Sequence, residues 1–130
     1  MNILGIDYGR KKIGVALATT TLAEAYRVIR YESTEEVIRK LQGVVEKEEI
    51  GKIVIGISEG KTAQETKRFA KILKRKLGVS VDFQDETLST QIAQNLSIEA
   101  GIGRKKRHEL EDAYSAAIIL QDYLNIRGKL

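Results

Sequence analysis

The run Ile53-Val54-Ile55-Gly56-Ile57 is apolar at every position, with no alternation between an inner and an outer face. A strand of this kind is covered on both sides, so it belongs in the middle of a sheet flanked by helices and pairs in parallel with a neighbour. Everything else in the chain has to be arranged around that central strand.

The flanking segments supply the rest of such a sheet. Ile3 to Ile6 reads as a buried strand that ends at Asp7-Tyr8-Gly9, where turn-forming and charged residues take over. After Arg10-Lys11-Lys12, Ile13, Val15 and Leu17 alternate with Gly14, Ala16 and Ala18, which predicts a second strand, hairpin-paired to the first, with small residues on one face. Glu24 to Tyr31 is β-branched and aromatic, a third strand with Tyr26 and Val28 on one face and Ile29 and Tyr31 on the other. Ser33-x-x-Glu36 has capping-box spacing, and Val37, Leu41, Val44 and Val45 then recur as on a helix running to about Lys47. Thr62-x-x-Glu65 repeats that spacing before Phe69, Leu73 and Leu77, with Gly78 as the stop. Val79, Val81 and Phe83 alternate into Gln84-Asp85-Glu86, a fifth strand ending in acids. Helices are predicted over Leu88 to Ala100, before Gly101-Ile102-Gly103, and from about Glu109 to Ile126. The order is three strands, helix, strand, helix, strand, helix, helix, which predicts an α/β fold of three layers around a five-stranded mixed sheet.

At 130 residues and 42% apolar content the chain matches the size of one domain with a real core. No cysteine is present, which excludes disulfides, thiolate zinc sites and a cysteine nucleophile and fits a reducing cytoplasm. Asp7 interrupts the first apolar run too early for a signal peptide, and no later run approaches membrane-spanning length, so a soluble cytoplasmic protein without a membrane partner is expected. The net charge of +4 is a mild excess, short of a protein that coats nucleic acid, and leaves room for a local basic patch.

In open α/β sheets the ligand site lies at the carboxyl ends of the strands, where Asp7 and the Asp85-Glu86 pair are expected. Asp112 opens the stretch Ala113-Tyr114-Ser115-Ala116-Ala117-Ile118-Ile119-Leu120, apolar almost all round and rich in small residues, so its helix can press close to the sheet. If that helix packs beside the first strand, Asp112 converges with Asp7 and Glu86. Three such carboxylates raise one another's pKa values unless a cation offsets them. Hard oxygen ligands suit Mg²⁺ or Mn²⁺, and two ions can activate water and stabilise a leaving oxygen without a protein nucleophile. The expected catalytic and metal-binding set is therefore Asp7, Glu86 and Asp112, acting on a nucleic-acid phosphodiester. Each acid has a plainer reading: Asp7 as a hairpin-turn residue, Asp85 as a helix N-cap, Glu86 as a solvated acid near a helix start, Asp112 as a carboxylate in a helix's first turn.

Arg104-Lys105-Lys106-Arg107 places four cations in a predicted loop before the last helix, and Lys11 and Lys12 lie in the turn after Asp7. These six are the candidate phosphate contacts, with a solvated surface as the alternative. His108, beside four cations, is read as a surface residue rather than a proton shuttle. Aromatic residues make up 5% of the chain and offer no base-stacking platform, so recognition should rest on backbone shape and charge.

Taken in order, Ile3-Leu4-Gly5-Ile6-Asp7-Tyr8-Gly9 with Lys12-Ile13-Gly14-Val15-Ala16, then Asp85-Glu86-Thr87-Leu88-Ser89-Thr90, then Arg104 to Arg107, and last Asp112 with Ala116-Ala117 and Ile119 to Leu124, resemble the YqgF family. These are RNase H-like relatives of Holliday-junction resolvases, regarded as nucleases for the 5′ end of pre-16S rRNA. The likeness spans nearly the whole chain and implies a single RNase H-like domain over 1–130, with Asp7, Glu86 and Asp112 on the family's acidic positions. The chain departs from the family pattern at Thr87, where Arg is usual, at Ala18-Thr19-Thr20, where Ser-Asp-Pro is usual, and in a shorter loop after Gly56. The resemblance implies pre-16S rRNA as the partner, with a structured DNA junction as the resolvase alternative, and a monomer or weak homodimer. Two rivals have other chemistry. An actin-like ATPase shares the Asp7-x-Gly9 phosphate-loop pattern but needs two such domains. A non-catalytic RNA-binding assembly factor would keep the fold and the acids without cutting.

Overall fold

The structure is a computed structural model that describes residues 2–58, 60–86 and 104–128, and the side chains of residues 61, 104–108 and 128 are not described. The helix expected over 88–100 lies outside the described residues. The elements in chain order are β1 (Asn2–Asp7), β2 (Lys12–Ala18), β3 (Ala23–Arg30), α1 (Thr34–Lys47), β4 (Ile50–Ile57), α2 (Lys61–Leu77), β5 (Ser80–Asp85) and α3 (Arg104–Gly128). Among the described residues the sheet has five strands in the order β3-β2-β1-β4-β5. β1 to β3 form an antiparallel meander, and β1, β4 and β5 run parallel, so the sheet is mixed and β4 is flanked on both sides as its apolar run requires.

The pleat sends alternate side chains to opposite faces, and the two faces have different chemistry. On one, Leu4, Ile6, Ile13, Val15, Ile53 and Ile55 meet Val37, Leu41 and Val44 of α1 and Phe69 and Leu73 of α2. On the other, Ala16, Ala18 and Val54 meet Ala116, Ile119, Leu120 and Tyr123 of α3. The result is three layers, two helices against one face and one against the other.

Local signals explain most element ends. Ser33 caps α1, its hydroxyl accepting from the Glu36 amide at 3.1 Å, while the Glu36 carboxylate accepts from the amide of Glu32. Gly78 stops α2 in the left-handed conformation (φ 67°) and donates its amide to the Lys74 carbonyl.

Three expectations need correction. Thr62 does not cap α2: the helix begins one residue earlier behind Gly60, which makes no side-chain cap. The Glu65 carboxylate that would complete that box is held instead by Arg10, at 2.6 and 2.9 Å. Tyr26 does not share a face with Val28, because the β2–β3 register shifts between Val15 and Ala16 and leaves Tyr26 between the partners of those two residues. The bulge turns Tyr26 onto the α1/α2 face, where it packs with Ile29 and Tyr31. Finally, Arg104 to Arg107 do not form a loop, since α3 already begins at Arg104. Asp112 is therefore more than two turns into the helix, which removes its reading as a first-turn carboxylate.

Candidate active site

Small residues decide how close α3 comes to the sheet. A Cβ on Gly5 would stand 2.8 Å from Leu120 Cβ and 3.0 Å from the Ala116 carbonyl oxygen. One on Gly14 would fall on the carbonyl oxygen of Asp112 itself and lie 2.8 Å from the Ala113 nitrogen. Gly14 is also the register partner of Asp7 across the β1–β2 pair. The backbone of α3 thus rests on the strand residue beside Asp7, and this brings Asp112 to the end of β1. Gly56 does the same for Glu86: a Cβ there would meet Glu86 Oε2 at 2.7 Å. Glu86 follows the end of β5, its amide donating to the Ile57 carbonyl at 3.1 Å.

The electrostatics follow from that convergence. The carboxyl of Asp7 is pushed up to about 8, first by burial, then by the charges of Glu86 and Asp112, by a hydrogen bond with the Glu86 side chain, and by Glu111. The strand-end acids and the helix acid therefore act on one another. Lys12 is the cation at this edge, its ammonium 3.0 Å from Asp112 Oδ2. Lys12, expected as a phosphate contact, is thus engaged by the acid cluster, while Lys11 is exposed on the turn. Of the basic run, the backbone of Arg104 to Arg107 forms the first turn of α3, about 7 to 12 Å along the helix from Asp112 at 1.5 Å per residue.

Among the described residues, no group of three His, Cys, Asp or Glu side chains is arranged to hold a metal ion as it stands. The donor chemistry nonetheless fits one. Asp7 and Glu86 already share a hydrogen bond, Asp112 lies within Coulombic range, and burial has left Asp7 with more negative charge around it than it can ionise against. A divalent cation with hard oxygen preference offsets this. Glu111 belongs to the same field and was not singled out from the sequence; its adjacency to Asp112 was the available signal. Gly56 was seen there only as part of an apolar strand.

Residues 1–126 match the family described as RuvX, Holliday junction resolvase. The chain belongs to this family. A relative from Halothermothrix orenii named "Putative pre-16S rRNA nuclease" is 38% identical over 138 residues, covering 100% of this chain and 99% of its own length. One of the same name from Clostridium acetobutylicum is 38% identical over 133 residues, covering 96% and 98%. Among solved structures, RuvC of T. thermophilus in complex with a Holliday junction substrate superposes with TM-score 0.65 at 15% identity, covering 99% of this chain and 96% of that one. The fowlpox virus resolvase with its Holliday junction DNA gives TM-score 0.65 at 13% identity, covering 98% and 99%. At those identities the likeness is one of fold, which is the RNase H-like fold that the sequence resemblance implied.

Among the described residues no helix is long and apolar enough to cross a membrane.

Proposed function

We propose that this chain is a metal-dependent nuclease that hydrolyses phosphodiester bonds, acting as one RNase H-like domain in the cytoplasm on the 5′ end of pre-16S rRNA during ribosome biogenesis. The observation that carries the reading is the half-buried, mutually repelling acid cluster at one end of the α3 face. The names of the full-length relatives supply the substrate class.

In this reading Asp7, Glu86 and Asp112 hold Mg²⁺ or Mn²⁺, as two ions. Bound there, the ions supply Lewis acidity at the scissile phosphate and lower the pKa of water. The chain's own part is positional. β1 and β5 bring Asp7 and Glu86 to the same end of the sheet, Gly14 and Gly56 let Asp112 and Glu86 close on it, and Lys12 holds the Asp112 carboxylate in place. Arg104 to Arg107 and Lys11 offer cations to the flanking phosphates.

The test is cleavage of a pre-16S 5′-leader RNA and a four-way DNA junction side by side, with Mn²⁺, Mg²⁺ or EDTA. RNA cut only with metal supports the reading. Junction cleavage alone would move the substrate to DNA, in line with the resolvases of the same fold, and binding of RNA without any cut would favour an assembly factor.

A further inference from the structure

A second cationic surface lies away from the acid cluster, along the edge strand β3. Two open grooves run there between β3 and α1, of about 790 Å³ and 610 Å³; Arg30 and Lys40 line both, so the grooves adjoin and together make one channel along this edge. Its cations are Arg10, Lys11, Arg27, Arg30, Arg39 and Lys40, against Glu32 and Glu36. That excess equals the +4 of the entire chain, concentrated on one edge. Lys40 is bound to Glu36 at 2.9 Å and Arg10 to Glu65, but among the described residues Lys11, Arg27, Arg30 and Arg39 are in no ion pair.

The channel is joined to the acid cluster by the turn between β1 and β2. The Tyr31 amide donates to the Lys11 carbonyl at 3.0 Å, and the Tyr31 hydroxyl donates to the Gly9 carbonyl, so the end of β3 is clamped to the turn that follows Asp7. A further feature comes from the other wall. Gly43 lines the channel in mid-α1, where glycine costs about 1 kcal/mol relative to alanine, yet an added Cβ would meet no other element among the described residues within 4 Å. The protein's own packing does not require that glycine; a ligand approaching the helix backbone closely would.

We infer that the β3–α1 channel holds the phosphodiester backbone of the nucleic acid beyond the scissile bond, reached from the acid cluster over the Tyr8–Lys12 turn. This rests on the nuclease reading and adds to it a second contact region, distinct from the basic start of α3. Arg27 of β3 and Arg39 of α1 line the channel from its strand side and its helix side, so a backbone lying between them meets a cation from each wall. The acid cluster, which repels phosphate without its cation, cannot supply that affinity itself.

The experiment measures binding of the leader RNA in EDTA over a series of KCl concentrations, for wild type, for Lys11→Gln/Arg27→Gln/Arg39→Gln, and for Lys67→Gln/Lys71→Gln/Lys74→Gln on the exposed side of α2. Melting curves verify that both triple variants fold. Three lost phosphate contacts on a single strand make the salt slope shallower by about 2 and weaken binding about 100-fold at 0.1 M salt. The channel variant is expected to show this and the α2 variant to stay within about twofold of wild type. Equal losses in both variants, or no loss in either, overturn the channel, while wild-type cleavage with metal in a parallel reaction leaves the acid site standing. Loss confined to the channel variant in a protein that never cuts keeps the channel and removes the nuclease.

Discussion

The two ends of the α3 face treat carboxylate charge in opposite ways. Near the C-terminal end, Asp82 accepts from the Tyr123 hydroxyl and faces Lys52 at 3.4 Å and Arg127 at 3.7 Å, and both cations also lie over the Tyr123 ring. Its carboxyl is held below the usual range, first by the Tyr123 hydrogen bond and then by Lys52 and Arg127. At the other end Asp7 meets Glu86, Asp112 and Glu111 and is raised to about 8. One helix packed on one sheet face thus carries a self-satisfied clamp at one end and an acid cluster that disfavours itself at the other. Acids gathered so that one carboxyl is pushed well above its ordinary range, on the same helix face as a clamp that holds another below it, mark the first end as the candidate functional site.

The largest expected effect is at the acid-rich end. Asp7→Asn should lower metal-dependent RNA cleavage at least about 1000-fold, roughly 4 kcal/mol of barrier, measured in single-turnover reactions. Retained cleavage would place the chemistry elsewhere. Next comes Gly14→Ala, whose Cβ has to displace α3 at Asp112. Overpacking against backbone should cost about 3 kcal/mol in urea unfolding and lower cleavage as well; a near-neutral result would mean that α3 does not depend on this close approach.

At the balanced end, Asp82→Asn should destabilise by about 1 kcal/mol, discounted because Asp82 and its cations are partly exposed, and leave cleavage intact. The pH dependence has a fixed sign. Because Asp82 is depressed in the folded chain, its contribution is present above 3.8 and lost as pH falls through the folded value. The smallest effect belongs to Lys12→Gln, a half-exposed pair with Asp112 that should cost about 0.5 kcal/mol by melting.

How much of this was legible follows the range of the forces involved. The fully apolar run of β4, the small-residue face of β2 and the Ser33 cap are local signals, and the structure carries all three. Thr62 failed as a cap because Arg10, 55 residues away, takes Glu65. Tyr26 changed face because of a bulge that alternation cannot reveal. The start of α3 was read too late because four successive cations look like a solvated loop and oppose the helix dipole in its first turn. In the site, Asp7 and Glu86 could be read from strand ends, and the approach of Asp112 from the small residues after it. The steric part of Gly56 is tertiary and was not readable, whereas Glu111 was missed although it adjoins Asp112.

The most direct measurement of the central claim, that the acids of the α3 face are built to hold divalent metal, is thermal unfolding of wild type and Asp7→Asn at pH 8 in EDTA and in Mn²⁺. Asp7 is raised from 3.8 to about 8 in the folded chain, so wild-type stability in EDTA should fall as pH rises across that interval. Asn keeps an N–H that can donate to Glu86 and removes the charge, so the variant should be more stable in EDTA by on the order of 3 kcal/mol. Mn²⁺ should raise the midpoint of wild type and leave the variant almost unmoved. A wild type indifferent to Mn²⁺, or equal gains in both proteins, would contradict the account.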